Sequence, residues 1–118
     1  MNRRQFGNAG EDVACTFLLK KGWEILDRNV RRGRNEIDII AKKRRVVAFI
    51  EVKRRSSLNY GRPAEAVNFE KQRHIVQAAA LYMQEKGLEN ANIRFDIIEV
   101  LPEGIHHIEA AFDASGLF

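Results

Sequence analysis

Apolar positions along this chain switch between helical and strand spacing. Residues 5 to about 22 read as a helix: Phe6, Gly10, Val13 and Phe17, with Ala14 and Leu18, recur at three- and four-residue intervals, and Gly22 is a natural stop. Glu11 falls at the edge of that stripe, directed at whatever the helix covers. Trp23 to Arg31 reads as a strand. Gly33 and its basic neighbours turn the chain into a second strand, Asn35 to Lys42, and Lys43-Arg44-Arg45 links it tightly to a third, Val46 to Lys53. Ser56 to Pro63 is a loop, with turn chemistry at Tyr60-Gly61-Arg62-Pro63. A second helix is expected from Asn68, whose side chain can cap free amides, to Gly87, with Ile75, Ala79, Tyr82 and Met83 as its apolar stripe. Ile93 to Leu101 and Ile105 to Phe112 read as strands joined by the turn Pro102-Glu103-Gly104.

The order α-β-β-β-α-β-β predicts an α/β fold with a central mixed five-stranded sheet flanked by helices. The first three strands can meander antiparallel, and the helix after the third is long enough to return the fourth parallel to it. Val46, Ala48, Ile50 and Val52 face one way, and Val47, Phe49, Glu51 and Lys53 the other. Both faces are mostly apolar, as expected of a strand covered on two sides. Glu51 and Lys53 break that rule at the C-terminal end of the strand, where ligand sites in sheets with crossover helices often lie. Without repeats or an interior linker, the expectation is one domain over residues 1–118.

Composition narrows the class. With 118 residues, 45% of them hydrophobic, the chain can bury a core without staples. The single Cys15 excludes an internal disulfide framework and a Cys-rich zinc site; its place in a helical pattern suits a buried thiol. No apolar run approaches the roughly 18 residues of a membrane span, and the basic start Met1-Asn2-Arg3-Arg4-Gln5-Phe6 leads into no signal-peptide core. A cytoplasmic protein without membrane contact is expected. The net charge of +4 hides an asymmetry: residues 1–62 hold 16 Lys/Arg against 7 Asp/Glu, and residues 63–118 hold 4 against 9. The basic residues clump at Arg31-Arg32-Gly33-Arg34, Lys42-Lys43-Arg44-Arg45 and Lys53-Arg54-Arg55. Clumping of this kind is the footprint of a phosphate-backbone binder, against the alternative of solvated turns that blunt sheet edges.

The candidate chemistry lies in Glu36 to Lys53, E-I-D-I-I-A-K-K-R-R-V-V-A-F-I-E-V-K. Residues two apart on a strand share a face, which pairs Glu36 with Asp38 and Glu51 with Lys53. If the two runs form a hairpin, these groups converge, and charges in apolar surroundings are costly unless paired or metal-bound. Magnesium is held by one or two carboxylates, waters and phosphate oxygens. Asp38 and Glu51 would supply the carboxylates and the Val52 carbonyl a third oxygen, with Lys53 beside a metal-bound water and Glu11 in support. The competing structural interpretation is an ion-pair network in which Lys53 neutralises Glu51 and an arginine neutralises Asp38. His106 and His107 are adjacent, so on a strand they cannot jointly grip one metal; they and His74 suit surface or core roles, and Trp23 suits the core. Tyr60 suits base stacking or turn packing equally.

These residues resemble a known family. Asp38, Glu51 and Lys53, in D-x12-E-V-K, match the core of the PD-(D/E)XK nuclease superfamily, whose members share a restriction-endonuclease-like fold. More narrowly, the chain resembles the YraN-like family of small bacterial proteins, similar to archaeal Holliday junction resolvases. The matching stretches are G-N-A-G-E-D-V-A (7–14), N-E-I-D-I-I (35–40), F-I-E-V-K-R-R (49–55), Y-G-R-P-A-E-A-V (60–67), K-Q-R (71–73), R-F-D-I-I (94–98) and H-I-E-A-A-F (107–112). The resemblance implies that Asp38 and Glu51 are metal ligands, Lys53 the catalytic lysine, Glu11 the helix-borne acid, and that Lys71 or Gln72 lies near the site. The expected activity is hydrolysis of DNA phosphodiesters with Mg2+ or Mn2+, at branched or otherwise non-canonical structures. Arg31, Arg32, Arg34, Lys42, Lys43, Arg54, Arg55, Tyr60, Arg62, Lys71 and Gln72 are the candidate nucleic-acid contacts. Cutting both arms of a junction would need two sites, which a homodimer provides. The alternatives are a nucleic-acid-binding module without turnover and a structural interaction protein whose charges merely pair.

Overall fold

The computed structural model describes residues 9–55 and 67–114. Helix α1 runs Ala9–Lys20, strands β1 to β3 run Glu24–Arg32, Asn35–Lys43 and Val46–Arg54, helix α2 runs Phe69–Lys86, and strands β4 and β5 run Asn92–Leu101 and Gly104–Phe112. The sequence boundaries agree to within a residue or two, except that the expected start of α1 before Ala9 and the 56–63 loop lie outside the described residues. The five strands form one mixed sheet in the order β1-β2-β3-β4-β5. β3 and β4 are parallel and the other neighbours antiparallel, as a helical crossover between the third and fourth strands demands.

Helix ends follow the residues present. Asn68 accepts a hydrogen bond from the Lys71 N–H at 2.8 Å and caps α2. Gly87 closes the same helix with N–H bonds back to Gln84 and Met83. After α1, Gly22 takes φ +91°, a backbone conformation that a side chain would strain. The Trp23 N–H then returns to the Leu18 carbonyl at 3.0 Å.

One helix covers each face of the sheet. Under α2 pack Ile75, Ala79, Tyr82 and Met83 against Val47, Phe49, Phe95 and Ile97. Under α1 pack Ala14, Cys15 and Leu18 against Ile39, Ala48, Ile50, Ile98 and Trp23. The alternation expected of β3 therefore holds, and Trp23 and Cys15 are core residues. Val13 departs from expectation: it is exposed, because α1 presents Cys15 rather than Val13 to the sheet. Among the described residues no helix is long and apolar enough to cross a membrane.

Candidate metal centre

Strands β2 and β3 pair from Lys43/Val46 to Ile39/Ile50, and there the ladder ends. Beyond it the Asp38 carboxylate takes the place of a backbone partner: its Oδ2 accepts the Val52 N–H at 2.8 Å. The facing pattern of β2 shifts at the same point. Ile37 and Ile40 both pack under α2, whereas Ile39 packs under α1. Asp38 thus sits where the hairpin forks, open to influence from both layers.

Glu51 points to the α2 side and is only 6% exposed. Lys53 Nζ lies 3.6 Å and Lys71 Nζ 3.7 Å from its Oε1, contacts long for hydrogen bonds. Burial, reinforced by the neighbouring Asp38 charge, pushes Glu51 up to about 7 despite these two ammoniums. Asp38 is raised for the same leading reason, burial, opposed by the Val52 N–H, Lys71 and Lys53 and assisted by Glu36. From the α1 side comes Glu11. Burial and the facing Asp38 charge hold its carboxyl at about 7, against the pull of Arg28 and Asn29. Arg28 is 3.9 Å from Glu11 but 2.7 Å from Asp12, so its charge is mostly engaged elsewhere. Among the described residues, Glu11 Oε1 is buried without a hydrogen-bond partner.

Glu11 and Glu51 each resist ionisation beside the Asp38 charge, Asp38 is itself raised by burial, and among the described residues Glu11 keeps an unsatisfied buried oxygen. A cation would relieve both conditions. Among the described residues, however, no group of three or more Asp, Glu, His or Cys side chains is arranged to hold a metal ion. The donor set fits magnesium-type binding, in which one or two carboxylates suffice and water and phosphate complete the sphere. Asp38, Glu51 and the Val52 carbonyl are the residues that match it.

The other predicted residues divide. Lys71 reaches Glu51, whereas Gln72 turns away: its Nε2 donates to the Val67 carbonyl at 2.9 Å. Arg31 pairs with Glu36 at 3.3 Å and Arg32 with Glu85 at 2.8 Å. Arg55 Nε stands 2.8 Å from Glu99 Oε2. Arg34 and Arg54 are exposed. α1 approaches the end of β3 closely at Gly10, where an added Cβ would lie 3.7 Å from the Arg54 Cβ. Lys42 and Lys43 are exposed at the far end of the hairpin. Tyr60 and Arg62 lie outside the described residues. His74 is exposed beside Glu70, and His107 is bound to Asp96 rather than to the candidate centre.

Glu99 escaped the sequence reasoning. It is fully buried and is the register partner of Lys53 on the parallel neighbour strand, extending the charged end of the sheet onto β4. Among the described residues neither of its oxygens has an aligned hydrogen-bond donor, so its match with Arg55 is one of charge. The signal was available: an acid two residues beyond the apolar Phe95 and Ile97 is the same anomaly that marks Glu51.

The family model described as "Uncharacterised protein family UPF0102" matches residues 10–100, and the chain belongs to that family. A UPF0102 protein of Clostridioides difficile is 46% identical over 114 residues, covering 95% of this chain and all of that protein. One from Chloroherpeton thalassium is 48% identical over 96 residues, 81% of this chain and 74% of the relative. One from Caldicellulosiruptor saccharolyticus is 47% identical over 100 residues, 85% of each.

Proposed function

We propose that this UPF0102 protein is a divalent-metal-dependent endonuclease that hydrolyses DNA phosphodiester bonds, with branched or junction DNA as its preferred class. The observation that carries the proposal is the pair of carboxylates on neighbouring strands, Asp38 and Glu51, with Asp38 bonded to the Val52 N–H and Glu11 facing Asp38 from α1. Glu11 and Glu51, each held at about 7 by burial and by the Asp38 charge, are poorly suited to structural ion pairs and well suited to a cation. Asp38, Glu51 and the Val52 carbonyl would hold Mg2+ or Mn2+. When bound, the ion would supply an acidified water and charge neutralisation at phosphorus. Lys53, 31% exposed, extends from Glu51 toward solvent, where its ammonium can orient the attacking water or offset phosphate charge. Glu11 closes the α1 side and can accept a hydrogen bond from a water through its unpartnered Oε1. Lys71 balances Glu51 from α2 and is placed to release it when a phosphate offers a better partner.

A second reading, a nucleic-acid-binding module without turnover, draws on a specific observation. Glu51 already faces two ammoniums, and no three-ligand group is formed among the described residues. Cleavage of labelled four-way junction, flap, single-stranded and duplex DNA with Mn2+ or Mg2+ separates the two. Under the nuclease reading, wild type cuts while Glu51→Gln and Lys53→Ala do not, and the branched substrates are cut fastest. Binding without cutting under either metal supports the module instead.

A further inference from the structure

The two ends of the sheet use their cations differently. Around the carboxylate centre, Lys53, Lys71, Arg28, Arg31 and Arg55 each face an acid, and only the exposed Arg34 and Arg54 do not among the described residues. The β2–β3 turn lies five residues along β2 from Asp38, about 16 Å away at strand rise. It exposes Lys42, Lys43, Arg44 and Arg45 together. Lys43 Nζ donates to the Lys21 carbonyl at 2.7 Å, which brings the C-terminus of α1, with Lys20 and Lys21, to the same end. Among the described residues none of Lys20, Lys21, Lys42, Arg44 and Arg45 forms an ion pair with an acid. Even Lys42, whose cross-strand neighbour is Glu24, is not paired with it.

A cleft opens on either side of this turn. One, of about 290 Å³, is lined by Trp23, Lys43, Arg44, Arg94 and Glu109. The other, of about 310 Å³, places Asn90 and Asn92 beside Lys42, Arg44 and Arg45. The backbone at Arg44 takes φ +57°, a left-handed conformation that Gly or Asn would adopt at lower cost. Arginine at that position keeps a charge at a conformational expense.

We infer that the β2–β3 turn is a second, separate nucleic-acid contact, which holds phosphate backbone about 16 Å from the carboxylate centre. The inference rests on the reading that nucleic acid is the substrate. Cations engaged by acids give little net attraction for a polyanion, so the unpaired cations must supply most of the counterion release. Amide side chains beside guanidinium groups suit phosphodiester and sugar oxygens. Contacts at both ends would let one molecule engage two segments of a bent or branched substrate.

The test is fluorescence anisotropy of the full chain with a labelled duplex of about 30 base pairs, in chelator so that no turnover occurs, across a salt series. Arg44→Gly/Arg45→Ser is compared with Arg73→Ser, a charge removed from the exposed face of α2. The double variant is expected to bind about tenfold more weakly at low salt and to lower the salt slope by about two, with Arg73→Ser within about twofold of wild type. Arg44→Gly alone should melt no earlier than wild type, since glycine suits that φ; this controls for folding. Wild-type-like binding by the double variant would overturn the inference. So would no binding by wild type, or a loss confined to phosphatidylserine vesicles, to which Leu19, exposed next to Lys20, could add an apolar contact. The two proposals fail separately: binding through the turn without cleavage under any metal sinks the nuclease reading alone. Cleavage by wild type with unaltered binding and cutting by the double variant sinks the turn alone.

Discussion

The sheet buries two acidic centres of opposite character. Asp96 on β4 is fully buried, yet every side of it is met. Arg94 donates from Nε at 2.9 Å and from Nη2 at 3.0 Å, the His107 ring contacts Oδ2 at 2.7 Å, and the Ala110 N–H donates to Oδ1 at 2.9 Å. Burial alone would raise Asp96, but these partners, led by His107 and Arg94, hold it below the usual carboxylate range. Glu51 on the neighbouring strand is almost as buried, and its two ammoniums stand off beyond hydrogen-bond distance, with Asp38 repelling it. The lesson is that burial of an acid says little by itself. A satisfied buried carboxylate is a structural clamp; an unsatisfied one beside other acids is a place for a ligand.

The sharpest way to break this comparison is by stability. Asp96→Asn should cost about 3–5 kcal/mol in chemical denaturation, because Arg94, His107 and the Ala110 N–H lose a shared buried partner. Glu51→Gln should be neutral or stabilising above neutral pH, since it removes repulsion from Asp38. Equal losses in the two variants would erase the distinction. Next in size is activity: Glu51→Gln or Lys53→Ala should lower metal-dependent DNA cleavage by about 100- to 1,000-fold, some 3–4 kcal/mol of transition-state stabilisation, whereas an active Glu51→Gln would remove Glu51 from the centre.

The pH dependence is of smaller magnitude. Glu11 and Glu51 sit at about 7 in the folded protein against 4.5 for their ordinary values. The native state therefore holds more protons than the unfolded chain between these limits, and stability falls as pH rises through that window. Glu51→Gln should flatten the decline by on the order of 2 kcal/mol; an unchanged slope would mean that Glu51 ionises normally. Asp96 has the opposite sign, its contribution being present above the unfolded value and lost in acid. Smallest is the effect of Mn2+ on the melting of wild type near neutral pH. It should add about 1–2 kcal/mol through binding to the native state alone, and Asp38→Asn should abolish that gain while leaving any non-specific ionic effect.

Much of this was legible in the chain. Periodicity located both helices and all five strands, because a 3.6-residue or two-residue repeat of apolar positions reports directly which side of an element is buried. Asn68 and Gly87 marked α2 because capping is a local interaction between neighbours in sequence. The resemblance to the YraN-like family rested on motifs spread along the chain, and the UPF0102 match over residues 10–100 agrees with it. Asp38, Glu51 and Lys53 stood out because acids and an ammonium in apolar runs contradict a purely structural role, and Glu11 because it bordered an apolar stripe.

What only the tertiary structure decided is how each charge is used. No local pattern tells that Asp38 bonds the Val52 N–H at a fork, that Glu99 meets Arg55, or that Arg31 and Arg32 are engaged by Glu36 and Glu85. Nor could one tell that, among the described residues, the cations of residues 42–45 meet no acid at the far end of the hairpin. A side chain's identity fixes its charge and reach. Its net electrostatic effect depends on burial and on partners brought from distant positions, and those are set by how the strands and helices pack.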